Sequence, residues 1–234
     1  MENIFKFKEF SVNQEHCAMR INTDSVLLGA YAEHDDDCAI LDIGTGTGVI
    51  AMMLAQRHPK AKIWAVEIDQ LASNSARKNF QESPFSERLQ IVHSDVFNWR
   101  TDASFDLIVS NPPFYINSLH NPDPRKKVAK HTDEEFFKGM LAFVANHLTL
   151  NGMLQIIIPI ELKAFLMAEA ELNNLYLSGQ LDILSFEDSD PFRCILSFKK
   201  ERKPFKQDRF VIYKERSQYS DAYRQILKPY FLAF

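Results

Sequence analysis

Three cysteines in 234 residues (Cys17, Cys38 and Cys194) are too widely spaced, and odd in number, for a disulfide framework. None belongs to a CxxC pair, so a zinc ribbon is excluded and no metal is expected. Such sparse usage fits a reducing cytosol. Apolar runs of membrane-spanning length are also lacking. The opening MENIFKFKEF mixes Glu2 and Glu9 with Lys6 and Lys8, which denies it the apolar centre of a secretory signal. A cytoplasmic protein with no membrane partner is therefore expected. Excess positive charge is missing too: 27 Lys and Arg face 31 Asp and Glu, for a net charge of −4. That balance excludes a general coater of nucleic acid, because phosphate binding needs cations. Two runs depart from it, RKKVAK at Arg125 to Lys130 and KKERKPFK at Lys199 to Lys206. Taken singly, each reads as a solvated face.

The 46% hydrophobic and 25% charged content is that of an ordered globular chain. No repeat or low-complexity tract interrupts it. The expected organisation is one domain over 1–234, comprising an N-terminal extension (1–37), a core (38–200) and a C-terminal strand and helix (201–234). Within the core, apolar runs of strand length alternate with segments of helical period. CAILDI precedes GVIAMMLAQRH, KIWAVEI precedes DQLASNSARKNF, and LQIVHSD leads to FDLIVSN. EEFFKGMLAFVANHL then precedes GMLQIIIP. Short unbroken apolar strands imply burial on both faces, hence an α/β fold with a doubly wound, mostly parallel sheet. After ELKAFLMAEAELNNLYL come QLDILSFED and FRCILSFKK, joined through Ser189-Asp190-Pro191. That link is too short for a helical crossover, so these two strands are expected to be antiparallel. In the extension, Phe5, Phe7 and Phe10 alternate before a helix that Asn22 or Thr23 caps, with Asp24 in its first turn. Near the C-terminus, FVIYK reads as a strand, and Tyr223, Ile226, Leu227 and Tyr230 mark a docked amphipathic helix starting near Tyr219.

Chemistry concentrates at strand ends. Leu41-Asp42-Ile43-Gly44-Thr45-Gly46-Thr47-Gly48 closes the first core strand and opens a helix. Glycines there permit a tight turn and let a ligand lie on bare backbone. In a dinucleotide fingerprint, GxGxxG, the third glycine would stand where Val49 is; Gly48 arrives one residue early. The early glycine and the preceding Asp42 suit a ligand with an amino-acid tail and no pyrophosphate, which is S-adenosylmethionine. Glu67 ends the second strand, where an acid accepts from a ribose diol. Asp95 ends the third, where a carboxylate can accept from an adenine amino group. The expected cofactor set is Asp42, Gly44, Gly46, Gly48, Glu67, Ile68, Asp95, Val96 and Asn111.

The fourth strand ends in Ser110-Asn111-Pro112-Pro113-Phe114-Tyr115. An exocyclic or amide nitrogen is a poor nucleophile because its lone pair is delocalised. Two acceptors aimed at its hydrogens, the Asn111 side-chain oxygen and the Pro112 carbonyl, would release that pair. Proline holds the preceding residue extended and adds no competing N–H. Phe114 offers a ring for a planar target. Asn111, Pro112, Pro113 and Phe114 are thus the expected catalytic group.

LDIGTGTG, Glu67, Asp95 and NPPF together resemble the Rossmann-like S-adenosylmethionine-dependent methyltransferases, in the branch carrying NPP[YF]. The resemblance implies seven strands, with FRCILSFKK inserted antiparallel beside the fifth. FSVNQEHCAMRINTDSVLLGAY, carrying Gln14, Cys17, Met19, Thr23-Asp24 and Leu28-Gly29, narrows it, as does RKKVAKHTDEEF after NPPF. These resemble the bacterial tRNA1(Val) adenine-N6 methyltransferases, which act just 3′ of the anticodon. Phe114 stands where Tyr is commoner, and Ser110 before Asn111 is permitted but not diagnostic. The family implies a tRNA partner and turns attention to both basic runs, with Arg125, Lys126, Lys127 and His131 as candidate RNA contacts in the loop after the motif. A monomer is expected. Alternatives are an rRNA guanine-N2 or protein glutamine-N5 methyltransferase, and a catalytically silent RNA-binding module. An NAD-dependent oxidoreductase is disfavoured by the glycine spacing.

Overall fold

The computed structural model describes residues 3–15, 20–34, 38–113 and 124–234, with backbone alone for 124–133. A hairpin of β1 (Ile4–Lys6) and β2 (Ser11–Asn13) precedes α1 (Thr23–Tyr31). Strand and helix then alternate through β3 (Ala39–Ile43), α2 (Val49–Arg57), β4 (Lys62–Glu67), α3 (Gln70–Glu82), β5 (Leu89–His93) and β6 (Phe105–Ser110). Next come α4 (Pro124–His147), β7 (Leu148–Pro159), α5 (Lys163–Leu172), β8 (Tyr176–Leu184) and β9 (Pro191–Lys199). β10 (Lys206–Val211), a small hairpin of β11 (Tyr213–Glu215) and β12 (Gln218–Tyr219), and α6 (Asp221–Leu227) follow. Among the described residues no helix is long and apolar enough to cross a membrane.

The main sheet runs β10-β8-β9-β7-β6-β3-β4-β5. Strands β3 to β7 are mutually parallel, and β9 lies antiparallel between β7 and β8, as expected. The count differs: the sheet has eight strands, not seven. Lys206 to Val211 pair in parallel with Gly179 to Leu184 of β8, and the expected FVIYK strand is divided between β10 and β11. Without β10, β8 would be an unprotected edge. β10 covers it with Lys206, Gln207, Asp208 and Arg209, all exposed, a polar rim that discourages further pairing.

Alternation along the strands divides the core in two. Ile40, Ile63, Leu107, Val109, Ile157 and Ile195 face one layer, with α1, α2 and α6. Leu41, Ile108, Leu154, Ile156, Ile158 and Leu196 face the other, with α4 and α5. The antiparallel β9 has a topological consequence. Its start lies at the edge where β3 to β7 end, so its last residue, Lys199, sits beside Tyr176 at the opposite edge. The basic run from Lys199 to Lys206 therefore stands away from the strand ends that carry the candidate site. There Arg202 lies over the Tyr176 ring at 4.2 Å and pairs with Glu171 at 2.7 Å.

Several helix ends are satisfied by side chains. Asn22 caps α1 through its bond from the Ser25 amide (2.9 Å), with the Ser25 hydroxyl completing a capping box. At the other end of α2, Arg88 donates to the carbonyls of Ala55 (2.7 Å), His58 (2.9 Å) and Ala61 (3.1 Å). A cation at a helix C-terminus also opposes the helix dipole. Arg88→Ala is expected to lower stability by about 1–3 kcal/mol, since three carbonyls lose their donor. Urea denaturation measures it, and ligand affinity should be unchanged because Arg88 lies outside the cleft.

Candidate functional site

The ends of β3, β4, β5 and β6 border a cleft of about 380 Å³, within the usual range for small-molecule sites. Gly44 and Gly46 form part of its wall, with Glu67 and Ile68 after β4 and Asp95 and Val96 after β5. Asn111, Pro112 and Pro113 complete it from β6. Residues separated by up to 69 positions thus meet because parallel strands end at one edge.

The three glycines have different reasons to be there. All lie at positive φ (+72° at Gly44, +57° at Gly46, +84° at Gly48). A Cβ built on Gly44 or Gly46 would meet nothing within 4 Å, so the backbone there is bare toward open space. This fits a ligand lying directly on the loop. At Gly48 a Cβ would fall 2.4 Å from Phe80, so this glycine keys the loop against α3 and does not line the cleft.

Glu67 is only 8% exposed and both its oxygens are engaged. Oε2 accepts from the Gly46 amide at 2.8 Å and Oε1 from the Asp69 amide at 2.9 Å. One carboxylate thus joins the glycine loop to the start of α3, and each oxygen keeps a lone pair for a ligand hydroxyl. Asp95 is similarly tied: it accepts from the Phe97 amide (3.0 Å) and from the Asn98 side chain (2.9 Å). This turns the chain sharply after β5.

Asp42 is placed differently from the other acids. It is fully buried beneath the loop, off the cleft wall, and its Oδ2 accepts from the Thr45 hydroxyl at 2.5 Å. Burial pushes its pKa up to about 7, against the opposing pull of the Thr45 hydroxyl and the Ala51 amide. Ser110, also buried, donates to the Ile43 carbonyl at 3.0 Å and so ties the Asn-Pro-Pro strand to the glycine-loop strand. The Asn111 side chain is partly buried and makes no hydrogen bond to a described residue. Phe114 lies outside the described residues. Arg125, Lys126, Lys127 and His131 fall in the first turns of α4 and not in a loop, because α4 begins at Pro124.

The family comparisons agree with this geometry. A model of the methyltransferase small domain matches residues 15–180. The tRNA1(Val) (adenine(37)-N6)-methyltransferase of Pedobacter heparinus is 45% identical over 234 residues, covering all of both chains. That of Bacteroides thetaiotaomicron is 37% identical over 229 residues, 97% of each chain. The chain belongs to the tRNA1(Val) (adenine(37)-N6)-methyltransferases, within the methyltransferase small domain family. Among solved structures, an Agrobacterium tumefaciens protein described as a predicted O-methyltransferase aligns with TM-score 0.70. It is 18% identical and the match covers 88% of this chain and 96% of that one. A Pyrococcus furiosus methyltransferase gives 0.58 at 20% identity, covering 82% and 90%. At such identities these two establish the methyltransferase fold alone.

The methyltransferase cleft also has walls that the motifs did not reveal. Phe97 and Phe136 line it, their rings 5.7 Å apart, and Gly139 of α4 leaves room for Phe97 where a Cβ would stand 3.0 Å from the ring. Arg20, Ile21, Asn22 and Ser25 enter from the N-terminal extension. That extension is fastened by buried Asn79 of α3. Asn79 accepts from the Asn13 amide (2.9 Å) and donates to the carbonyls of Asn13 (3.0 Å) and Thr47 (2.9 Å). An asparagine within a helix carries no sequence signal for such a role; only Asn22, as a helix cap, was legible beforehand.

Two expectations follow for the methyltransferase. Glu67→Gln keeps the shape but replaces one acceptor oxygen with a donor that opposes a backbone N–H. It should cost about 1–3 kcal/mol of stability and also weaken nucleoside binding, read by urea denaturation and calorimetric titration. For Asp42 the folded pKa, about 7, exceeds its ordinary value of 3.8. The folded state therefore holds the extra proton between these values, and the stability it contributes declines as pH rises through that window. Asp42→Asn cannot ionise, so its melting temperature should gain on wild type from pH 4 to pH 7 and then level off, in a series of thermal melts.

Proposed function

We propose that the chain methylates N6 of adenine 37 in tRNA1(Val), using S-adenosylmethionine. The observation that carries this reading is the meeting of Asn111 and Pro112 with Gly44, Gly46 and Glu67 in one cleft. The full-length relatives bearing that activity in their names support it. When bound, S-adenosylmethionine supplies a methyl group already activated by a positive sulfur. Gly44 and Gly46 would carry its amino-acid end on bare backbone, Glu67 would accept from its ribose hydroxyls, and Asp95 would accept from its adenine amine. Ile68, 67% exposed, and buried Val96 would pack against the base.

The chain's part in the chemistry is then position and electrostatics. The Asn111 Oδ1 and the Pro112 carbonyl accept from the two hydrogens of the target amine, freeing its lone pair for the methyl. No described group competes for the Asn111 side chain, which leaves it available to the substrate. As the amine becomes positive, both acceptors bind it more strongly, so their effect falls on the transition state. Phe114 would stack on the adenine once it has left its own stack. Arg125, Lys126, Lys127 and His131, in the first turns of α4, would meet the anticodon-loop backbone.

Deleting the gene should remove N6-methyladenosine from one valine tRNA, read by mass spectrometry of tRNA nucleosides, and wild-type protein should restore it. Asn111→Ala should not. In single-turnover transfer with both ligands saturating, it should lose roughly 10²- to 10³-fold in rate or more, with cofactor and tRNA affinities nearly intact. Asn111→Asp, which still accepts hydrogen bonds, should lose less. Wild-type transfer by Asn111→Ala would reduce Asn111 to a turn residue.

A further inference from the structure

Arg20 is the one cation among the described residues that line the cleft; the other charged groups on its wall are Glu67, Asp69 and Asp95. Its side chain is exposed and makes no hydrogen bond or ion pair to a described residue. Its position is nevertheless fixed. Immediately after it, the Ile21 amide donates to Gln14 Oε1 at 2.7 Å, and Asn22 caps α1. A guanidinium held at the rim of an acidic cleft without a partner is matched to an anion that arrives with a ligand.

Where that anion lies follows from the fold. α1 packs on α2 and β7, whereas Asp95 follows β5, at the far end of the order β7-β6-β3-β4-β5. Arg20 is thus at the glycine-loop and Asn111 end of the cleft, opposite the acids suited to a nucleoside. The glycine loop itself has few free donors for an anion. The amides of Gly44 and Thr45 bond the Val66 carbonyl at 2.9 and 3.2 Å, and that of Gly48 bonds the Thr45 carbonyl at 2.9 Å. The Gly46 amide is taken by Glu67. A negatively charged group resting on this loop needs a cation from elsewhere.

We infer that Arg20 binds the carboxylate of the cofactor's methionine tail. This rests on S-adenosylmethionine being the cofactor, and it assigns to the N-terminal extension a direct part in cofactor recognition. The charge count agrees, since Arg20 offsets a carboxylate that the acids of the wall would repel.

The test compares S-adenosylmethionine with its decarboxylated form, which lacks only the carboxylate, by calorimetric titration against wild type and Arg20→Ala. Arg20 is exposed and has no described partner, so the variant should melt as wild type does. Wild type should prefer the carboxylated ligand. Arg20→Ala should weaken it about 10- to 100-fold, the range for a charge-assisted hydrogen bond, and leave the decarboxylated form unchanged, erasing the preference. A variant that keeps the preference overturns the assignment. So does one that leaves both cofactor affinities intact but weakens tRNA binding with a shallower salt dependence, which would put Arg20 on an RNA phosphate. A wild-type protein that binds neither ligand overturns the cofactor reading itself, and this assignment with it.

Discussion

Parallel pairing of β3, β4, β5 and β6 delivers four chain reversals to one edge of the sheet, and the Glu67 carboxylate joins two of them. Its two oxygens accept from amides on either side of the β3–β4 crossover, so the glycine loop and the start of α3 cannot move independently. Ser110 makes the corresponding tie between β3 and β6 through the Ile43 carbonyl. The cleft is therefore held open by backbone-directed bonds in a buried setting, where each is worth more than in water. A catalyst that works by position requires such a frame, because a small displacement of an acceptor forfeits the alignment it provides.

The electrostatic design is uneven in a useful way. Glu67 and Asp95 stand at the cleft with their oxygens partly engaged, which orients the remaining lone pairs. Asp42, one turn below, is buried so completely that its charge is disfavoured near neutral pH. It accepts from Thr45 beneath the loop, off the cleft wall. Two acids separated by one short loop thus differ in role because one meets the cleft and the other meets only protein.

Asn79 links this frame to the N-terminal extension. By bonding both β2 and the Thr47 carbonyl, it fixes the extension to the same loop that Glu67 holds from the other side. Phe80, the next residue, fills the space that Gly48 leaves. α3 therefore reads the conformation of the loop twice, once by hydrogen bond and once by shape. The extension is part of the site's construction, since Arg20 to Asn22 form cleft wall.

Sequence alone determined the alternating strands and helices, the antiparallel entry of β9, the glycine loop, the acids after β4 and β5, and the Asn-Pro-Pro turn. These are local: burial on both faces makes a strand continuously apolar, a positive φ selects glycine, and a proline constrains its neighbour, so each leaves a mark within a few residues. The polar first half of β10, and its place as the eighth strand of the main sheet, were hidden because the exposed edge strand lacks the apolar pattern of a buried one. The early start of α4 at Pro124 was hidden for the same reason, its first turns being polar. Only the tertiary structure decided that one of the two basic runs stands away from the site. KKERKPFK is as basic in sequence as RKKVAK, and the reversed direction of β9 carries it to the opposite edge. Likewise, nothing near Arg20, Asn79 or Phe136 in the chain marks them as neighbours of Gly46. Their proximity is set by which strands pair and which faces the helices cover, and that is a property of the whole sheet.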